Sequence, residues 1–307
     1  MRKVFLIMLG VLLLGVLGWG VVWNECFKVT FDGEGAFGYV EKQLSFGSRC
    51  VGTDGHDQIV KFIKDELELV VDDVSVQEFK EIYNEEEYSF VNIVAQINPE
   101  VEERIILGTH YDSRYRAELD MKNPQGYMPG ANDSASGTAV LLQLAKEIDQ
   151  EKLRIGIDLV FFDGEEGFPV ENLEDWYPIG SKYFAENLDQ YYKEIYTLSG
   201  VVVDMIGDNN LDIHIENFSY QYAPVETKAM YYVGMSVFPF DFVNDIQHSI
   251  IDDHTALNEA GIPTVLLIDF EYPYFHTTED TLDKVSSESL EKIGVVLLKY
   301  IDLYGRS

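Results

Sequence analysis

Five apolar segments of this chain break off at a residue able to hold a metal ion or move a proton. The clearest is Ile155-Gly156-Ile157-Asp158-Leu159-Val160, short and rich in branched side chains. It runs through Phe161-Phe162 into Asp163-Gly164-Glu165-Glu166. Such a run reads as a buried strand. Its end throws two adjacent carboxylates to the carboxyl edge of a sheet, where open α/β folds keep their sites. A lone Glu-Glu is ordinarily a solvated turn. Here His110, Asp133, Asp204 and His276 also end a strand or open the next helix, as Glu166 does. The intervals between them are one or two β-α units long, so a parallel topology brings all five to one edge. Mixed imidazole and carboxylate donors suit Zn²⁺. The two cysteines, Cys26 and Cys50, lie far upstream of them.

The rest of the chain fits that frame. Helical periodicity is expected over residues 31–44, 56–69, 138–148, 180–187, 225–237, 251–260 and 286–303. Strands are expected at 74–79, 90–97, 104–108, 155–160, 200–203, 211–215 and 263–268, with 81–87 as a solvated acidic turn. The Gly-rich stretch at 47–55 lacks the Gly-Lys-Ser/Thr ending of a phosphate loop. Strands alternate with helices, and no repeat or linker interrupts them. The expected fold is therefore α/β: a single globular domain over residues 28–307, with a central, mixed but mostly parallel β-sheet flanked by helices. The early strands supply an antiparallel edge.

Charge limits the partners. With 54 acids against 22 bases the net charge is −32, which disfavours nucleic acid and anionic lipid surfaces. Metal ions and substrates with a free amine are compatible with it. Met1-Arg2-Lys3 precedes an uncharged apolar run over residues 4–23, about 30 Å long as a helix and enough to cross a bilayer. Trp19 and Trp23 fall where an interfacial aromatic belt would lie. The run is long for a cleaved signal and ends without a small-residue cleavage site. Residues 1–24 are thus expected to form a signal anchor, with the remaining chain extracytoplasmic; cleavage would instead give a secreted protein. Cys26 and Cys50 could pair in an oxidising compartment, closing a loop worth about 3 kcal/mol, or remain free.

The motifs as a set carry a resemblance. They are His110-Tyr111-Asp112-Ser113-Arg114, Gly130-Ala131-Asn132-Asp133-Ser134-Ala135-Ser136-Gly137, Phe161-Phe162-Asp163-Gly164-Glu165-Glu166, Asp204-Met205-Ile206-Gly207, Asp252-Asp253-His254 and Phe275-His276-Thr277-Thr278-Glu279-Asp280-Thr281. In this order they resemble the superfamily of co-catalytic zinc aminopeptidases and animal-type glutaminyl cyclases, over residues 31–303. Three features lean to the cyclases: the segment with Trp176 between Glu166 and Gly180, the long loop from Asp112 to Gly130, and the Asp-Asp-His triplet. Phe275 leans back, standing where cyclases usually place Trp. The cyclase resemblance implies one Zn²⁺ on Asp133, Glu166 and His276. It implies Glu165 as proton shuttle, with Asp204 and Asp253 hydrogen-bonded to it, and the N-terminal Gln of peptides or proteins as substrate. The aminopeptidase resemblance implies a second Zn²⁺ on His110 and Asp204, bridged by Asp133, with Glu165 as the base that activates water. A non-catalytic ectodomain on the same fold is the third reading. His56, His214 and His248 are assigned no role.

Overall fold

The computed structural model describes residues 29–170, 176–194 and 198–305. The expected anchor and Cys26 lie outside the described residues. Among the described residues no helix is long and apolar enough to cross a membrane. Residues from Phe31 onward form one compact unit.

Six strands make the central sheet: β1 (Asp73–Tyr83), β2 (Glu86–Ile97), β3 (Arg104–His110), β4 (Gly156–Phe162), β5 (Leu198–Asp204) and β8 (Thr264–Ile268). Their order is β1-β2-β4-β3-β5-β8. β4, β3, β5 and β8 run parallel, and β2 is antiparallel to both β1 and β4. Every residue of β3, β4 and β8 is buried, because helices cover both faces; hence these strands read as unbroken apolar runs. Alternate side chains feed two core layers. Ile105, Leu107, Ile157 and Leu159 pack with α1 (Gly33–Leu44), α2 (Asp54–Glu68), α3 (Ala135–Glu147) and α8 (Ser287–Gly305). Ile106, Val160, Phe162, Val202 and Leu266 pack on the other side with Phe184 of α4 (Ile179–Glu186) and Leu257 of α7 (Asp253–Glu259).

At exposed edges one expectation fails and one strand was not foreseen. Residues 81–87 are not a turn. Ile82 pairs with Glu87 and Tyr83 with Glu86, and the reversal is confined to Asn84 and Glu85, both at positive φ as a two-residue hairpin turn requires. The hairpin tip is solvated, so no apolar alternation marks it. The strand expected at 211–215 is β6 (Ile213–Glu216), and it pairs in parallel with an unforeseen strand, β7 (Phe242–Gln247). Only Phe242 of β7 is fully buried, which left little periodicity to read. The crossover between them comprises α5 (Asn217–Tyr222) and α6 (Pro224–Val237).

Candidate metal and catalytic site

The parallel strands deliver their terminal residues to one edge. His110 and Asp204 end β3 and β5. Glu165 and Glu166 follow β4, Asp133 precedes α3, and His276 lies in the loop after β8. The small residues around Asp133 stitch these ends together. Thr138 donates its hydroxyl to the His110 carbonyl (3.0 Å) and Ser134 to the Asp112 carbonyl (2.6 Å). The Asn132 side-chain oxygen accepts the Gly207 N–H (2.7 Å). A Cβ on Gly137 would lie 2.2 Å from Thr109 Oγ1 and 2.8 Å from the Val203 carbonyl, so only glycine lets α3 approach β3 and β5 this closely. Opposite, the Asp280 carboxylate accepts the Asn132 and Asp133 N–H groups (2.9 and 3.2 Å) and the Tyr272 hydroxyl (2.6 Å).

Asp133 belongs to two donor groups, His110–Asp133–Asp204 and Asp133–Glu166–His276. His110 Nε2 lies 3.2 Å from Asp133 Oδ1 and 3.1 Å from Asp204 Oδ1. His276 Nε2 lies 3.6 Å from both Asp133 Oδ2 and Glu166 Oε2. Each ring turns its other nitrogen to a carboxylate: His110 Nδ1 to Asp112 (3.4 Å) and His276 Nδ1 to Glu118 (2.7 Å). That arrangement fixes the tautomer of metal-binding histidines. Glu166 Oε1 is buried with no hydrogen-bond partner among the described residues. Orphaned carboxylate oxygen, mixed donors and tautomer control together fit a divalent cation in either group.

The electrostatics point the same way. Burial and the neighbouring Asp133 push Glu166 up to about 8, against the pull of His276 and Arg114. Burial pushes Asp133 up too, but its hydrogen bond to His110 and the charge there bring it below the ordinary range. A cation at these oxygens would offset the crowding of like charge. Glu118 is likewise raised by burial, yet His276 and Arg114 pull it down to about 2.

Glu165 differs from its neighbour. Its side chain is 11% exposed and takes no hydrogen bond from a described residue; His110 Nδ1 stands 4.0 Å away. Burial raises it well above the carboxylate range, Glu166, Asp252 and Asp253 add to this, and His110 opposes it. Asp253 is wholly buried with both oxygens lacking a donor among the described residues, and burial raises it to about 7. Ionised carboxylates only accept. The relay implied for Glu165, Asp204 and Asp253 would need a proton on one of them; the hydrogen bonds expected from Asp204 and Asp253 to Glu165 are not among those of the described residues, and of the two adjacent acids it is Asp252 that lines the cavity with Glu165.

The sites open into a cavity of about 530 Å³. Glu165, Glu166, Asp133, Asp204, Asp252 and His276 form its acidic floor; Trp176, Ile250, Ile251, Phe270 and Phe275 form its apolar wall. Trp176 Nε1 donates to the Glu165 carbonyl (2.7 Å), which seats the indole against the site. Phe275 stacks on His276 (3.8 Å between centroids). The structure thus gathers His110, Asp133, Glu165, Glu166, Asp204, Asp253 and His276. Sequence reading missed Glu118, Arg114, Asp280 and the supporting role of Asp112. Asp112 and Asp280 lay inside recognised motifs. Glu118 lies in a loop with no pattern. His56 is a structural partner of Asp163 (2.9 Å), and His254 of Glu216 (3.2 Å). His248 pairs with Glu271 (2.7 Å) at the cavity wall.

Residues 92–301 match Peptidase family M28. The glutaminyl-peptide cyclotransferase of Gloydius blomhoffii is 29% identical over 254 residues, covering 70% of this chain and 67% of its own. The glutaminyl cyclase of Tannerella forsythia is 31% identical with a TM-score of 0.82, covering 89% of this chain and 99% of its own. A leucine aminopeptidase precursor from Bacteroides thetaiotaomicron VPI-5482 is 28% identical with a TM-score of 0.81, covering 89% and 98%.

Proposed function

The chain belongs to peptidase family M28, and on that premise we propose that it is a zinc-dependent glutaminyl-peptide cyclotransferase, converting the N-terminal Gln of peptides to pyroglutamate with release of ammonia. The observation that carries this is the Trp176 segment. Its indole is tied to Glu165, so the proton-shuttling carboxylate and the cavity wall are built as one unit. The similarity to cyclases of both animal and bacterial origin supports the same reading.

Asp133, Glu166 and His276 would hold the zinc, which polarises the γ-carboxamide carbonyl of the substrate. The apolar wall gives the glutaminyl side chain a surface to pack on beside the metal-binding groups. Glu165 takes a proton from the α-amine as its nitrogen bonds to the side-chain carboxamide carbon, Cδ. It returns that proton to the carboxamide nitrogen, whose bond to Cδ breaks, and ammonia leaves. Burial and the like charge of Glu166, Asp252 and Asp253 keep the proton affinity of Glu165 high. One metal suffices, since the nucleophile is intramolecular.

A second reading is a di-zinc aminopeptidase. It is favoured by the complete His110–Asp133–Asp204 group and by the similarity to a leucine aminopeptidase precursor. Incubating the enzyme with a Gln-initiated and a Leu-initiated peptide separates the two. Ammonia loss from the first, seen as a 17 Da decrease by mass spectrometry (~17, the mass of NH₃), is expected; free leucine from the second would replace the cyclase by the peptidase. The proposal also places the domain outside the membrane, tethered by residues 4–23. The full-length protein is expected to sediment with membranes and resist high-salt extraction. A soluble form beginning near residue 24 would show cleavage instead.

A further inference from the structure

We propose that Glu118, braced by Arg114, is a positioning residue that aims the His276 imidazole at the zinc that Asp133, Glu166 and His276 would hold. This rests on the metal reading given above and goes beyond it in naming the residues that set the orientation of that histidine.

His276 has a left-handed backbone, φ 52°, a conformation that L-residues adopt only where the surroundings enforce it. The enforcing structure is the 113–130 loop, which is laced to the His276 loop at the histidine's own carbonyl and two residues beyond it. Leu119 N–H donates to the His276 carbonyl (3.2 Å), and Thr278 N–H donates to Asp120 Oδ2 (3.2 Å). Between these two ties Glu118 Oε1 meets His276 Nδ1 at 2.7 Å. With the Nδ1 proton given to Glu118, the Nε2 lone pair is left facing Asp133 and Glu166, at 3.6 Å from each.

Arg114 joins this latch to the ligand set. Its Nε donates to Glu118 Oε1 (3.0 Å), and its Nη2 forms an ion pair with the same oxygen (2.9 Å). Its Nη1 donates to the Glu166 carboxylate (3.0 Å) and the Glu166 carbonyl (3.1 Å). One planar guanidinium therefore fixes the spacing between the carboxylate behind His276 and the carboxylate beside it. The other histidine has a weaker support. Asp112 Oδ1 stands 3.4 Å from His110 Nδ1, at the limit of a hydrogen bond, whereas 2.7 Å is a short, charge-assisted one. Asp112 also spends its second oxygen on the Glu166 N–H (3.0 Å). A ring already held in its ligating orientation loses less freedom on binding metal, so this bracing strengthens zinc binding at His276.

The test is the affinity of the metal-free, full-length protein for the first equivalent of zinc, read by competition with a chelating dye. Glu118→Ala is expected to weaken it by about 10–100-fold, the usual loss when an outer partner of a metal-binding histidine is removed. Glu118→Gln still accepts the Nδ1 proton but lacks charge, and is expected to weaken it by no more than about tenfold. If Glu118→Ala binds the first zinc within about twofold of wild type, or Glu118→Gln is as weak as Glu118→Ala, the assignment is overturned. Should Glu118→Ala not fold, Glu118→Gln decides alone: a loss of about two- to tenfold supports the assignment, and wild-type affinity overturns it. A wild type that binds no zinc would overturn the proposed function as well. Zinc-binding wild type with an unaltered variant overturns only this inference.

Discussion

The two donor groups share Asp133 but are built differently. His110 and Asp204 sit at the ends of strands, and both are buried. Glu166 and His276 sit in loops, and the cavity reaches them but not His110. The strand-borne half reaches the cavity only through Asp204, with His110 behind it; the loop-borne half reaches it through both Glu166 and His276, which Arg114 and Glu118 brace. A site arranged this way places its chemistry on the loop half, with the strand half able to carry a metal but open to the cavity only at Asp204.

The largest effect is expected where the halves meet. Asp133→Ala removes a ligand from both and should abolish zinc binding and turnover together, measured by metal analysis and ammonia release. Retained zinc would show that the two halves are not joined through this carboxylate. Next comes the contrast between adjacent glutamates. Glu165→Gln should keep zinc yet lose about 10²–10⁴-fold in turnover, as expected for a removed general acid–base. Glu166→Gln should lose zinc affinity. Zinc loss in the first or retention in the second would reverse the roles assigned to the pair.

A smaller effect concerns stability. In the metal-free chain burial holds Glu166 at about 8 and Asp253, Asp269 and Asp280 at about 7. Each is raised above its value in the unfolded chain, so the folded state binds more protons between about pH 4 and pH 8, and stability falls as pH rises through that window. The metal-free protein should therefore melt a few degrees lower at pH 8 than at pH 5. Zinc should narrow the gap by stabilising ionised Glu166. Glu118, held at about 2, acts in the opposite sense, its stabilisation being lost as pH falls from about 4.5 to about 2. A metal-free melting temperature that rises from pH 5 to pH 8 would contradict this account of the acidic floor.

The same contrast explains what was legible in the sequence. Strand-borne residues were found because buried parallel strands leave unbroken apolar runs, and His110 and Asp204 end two of them. Glu166 was found the same way, just past the run that forms β4; Asp133 and His276 were placed by opening a helix or following a strand, and by their motifs. Glu118 was not, because a carboxylate reaching a histidine far along the chain leaves no periodicity or spacing. The hairpin tip around Asn84 and strand β7 were missed for the complementary reason: at a solvated edge the backbone pairs without an apolar pattern. The helices on both faces followed from amphipathic spacing, and their caps fell within a few residues of expectation; α7, for example, starts at Asp253 with Asp252 as its cap.

The central claim is that cyclisation belongs to the loop half. It is tested most directly by comparing ammonia release from a Gln-initiated peptide by His110→Ala and His276→Ala, with zinc content measured on the same samples. The account predicts that His110→Ala retains one zinc and most of its ammonia release, while His276→Ala loses both. Loss of ammonia release in His110→Ala with its remaining zinc intact, or full activity in His276→Ala, would contradict it.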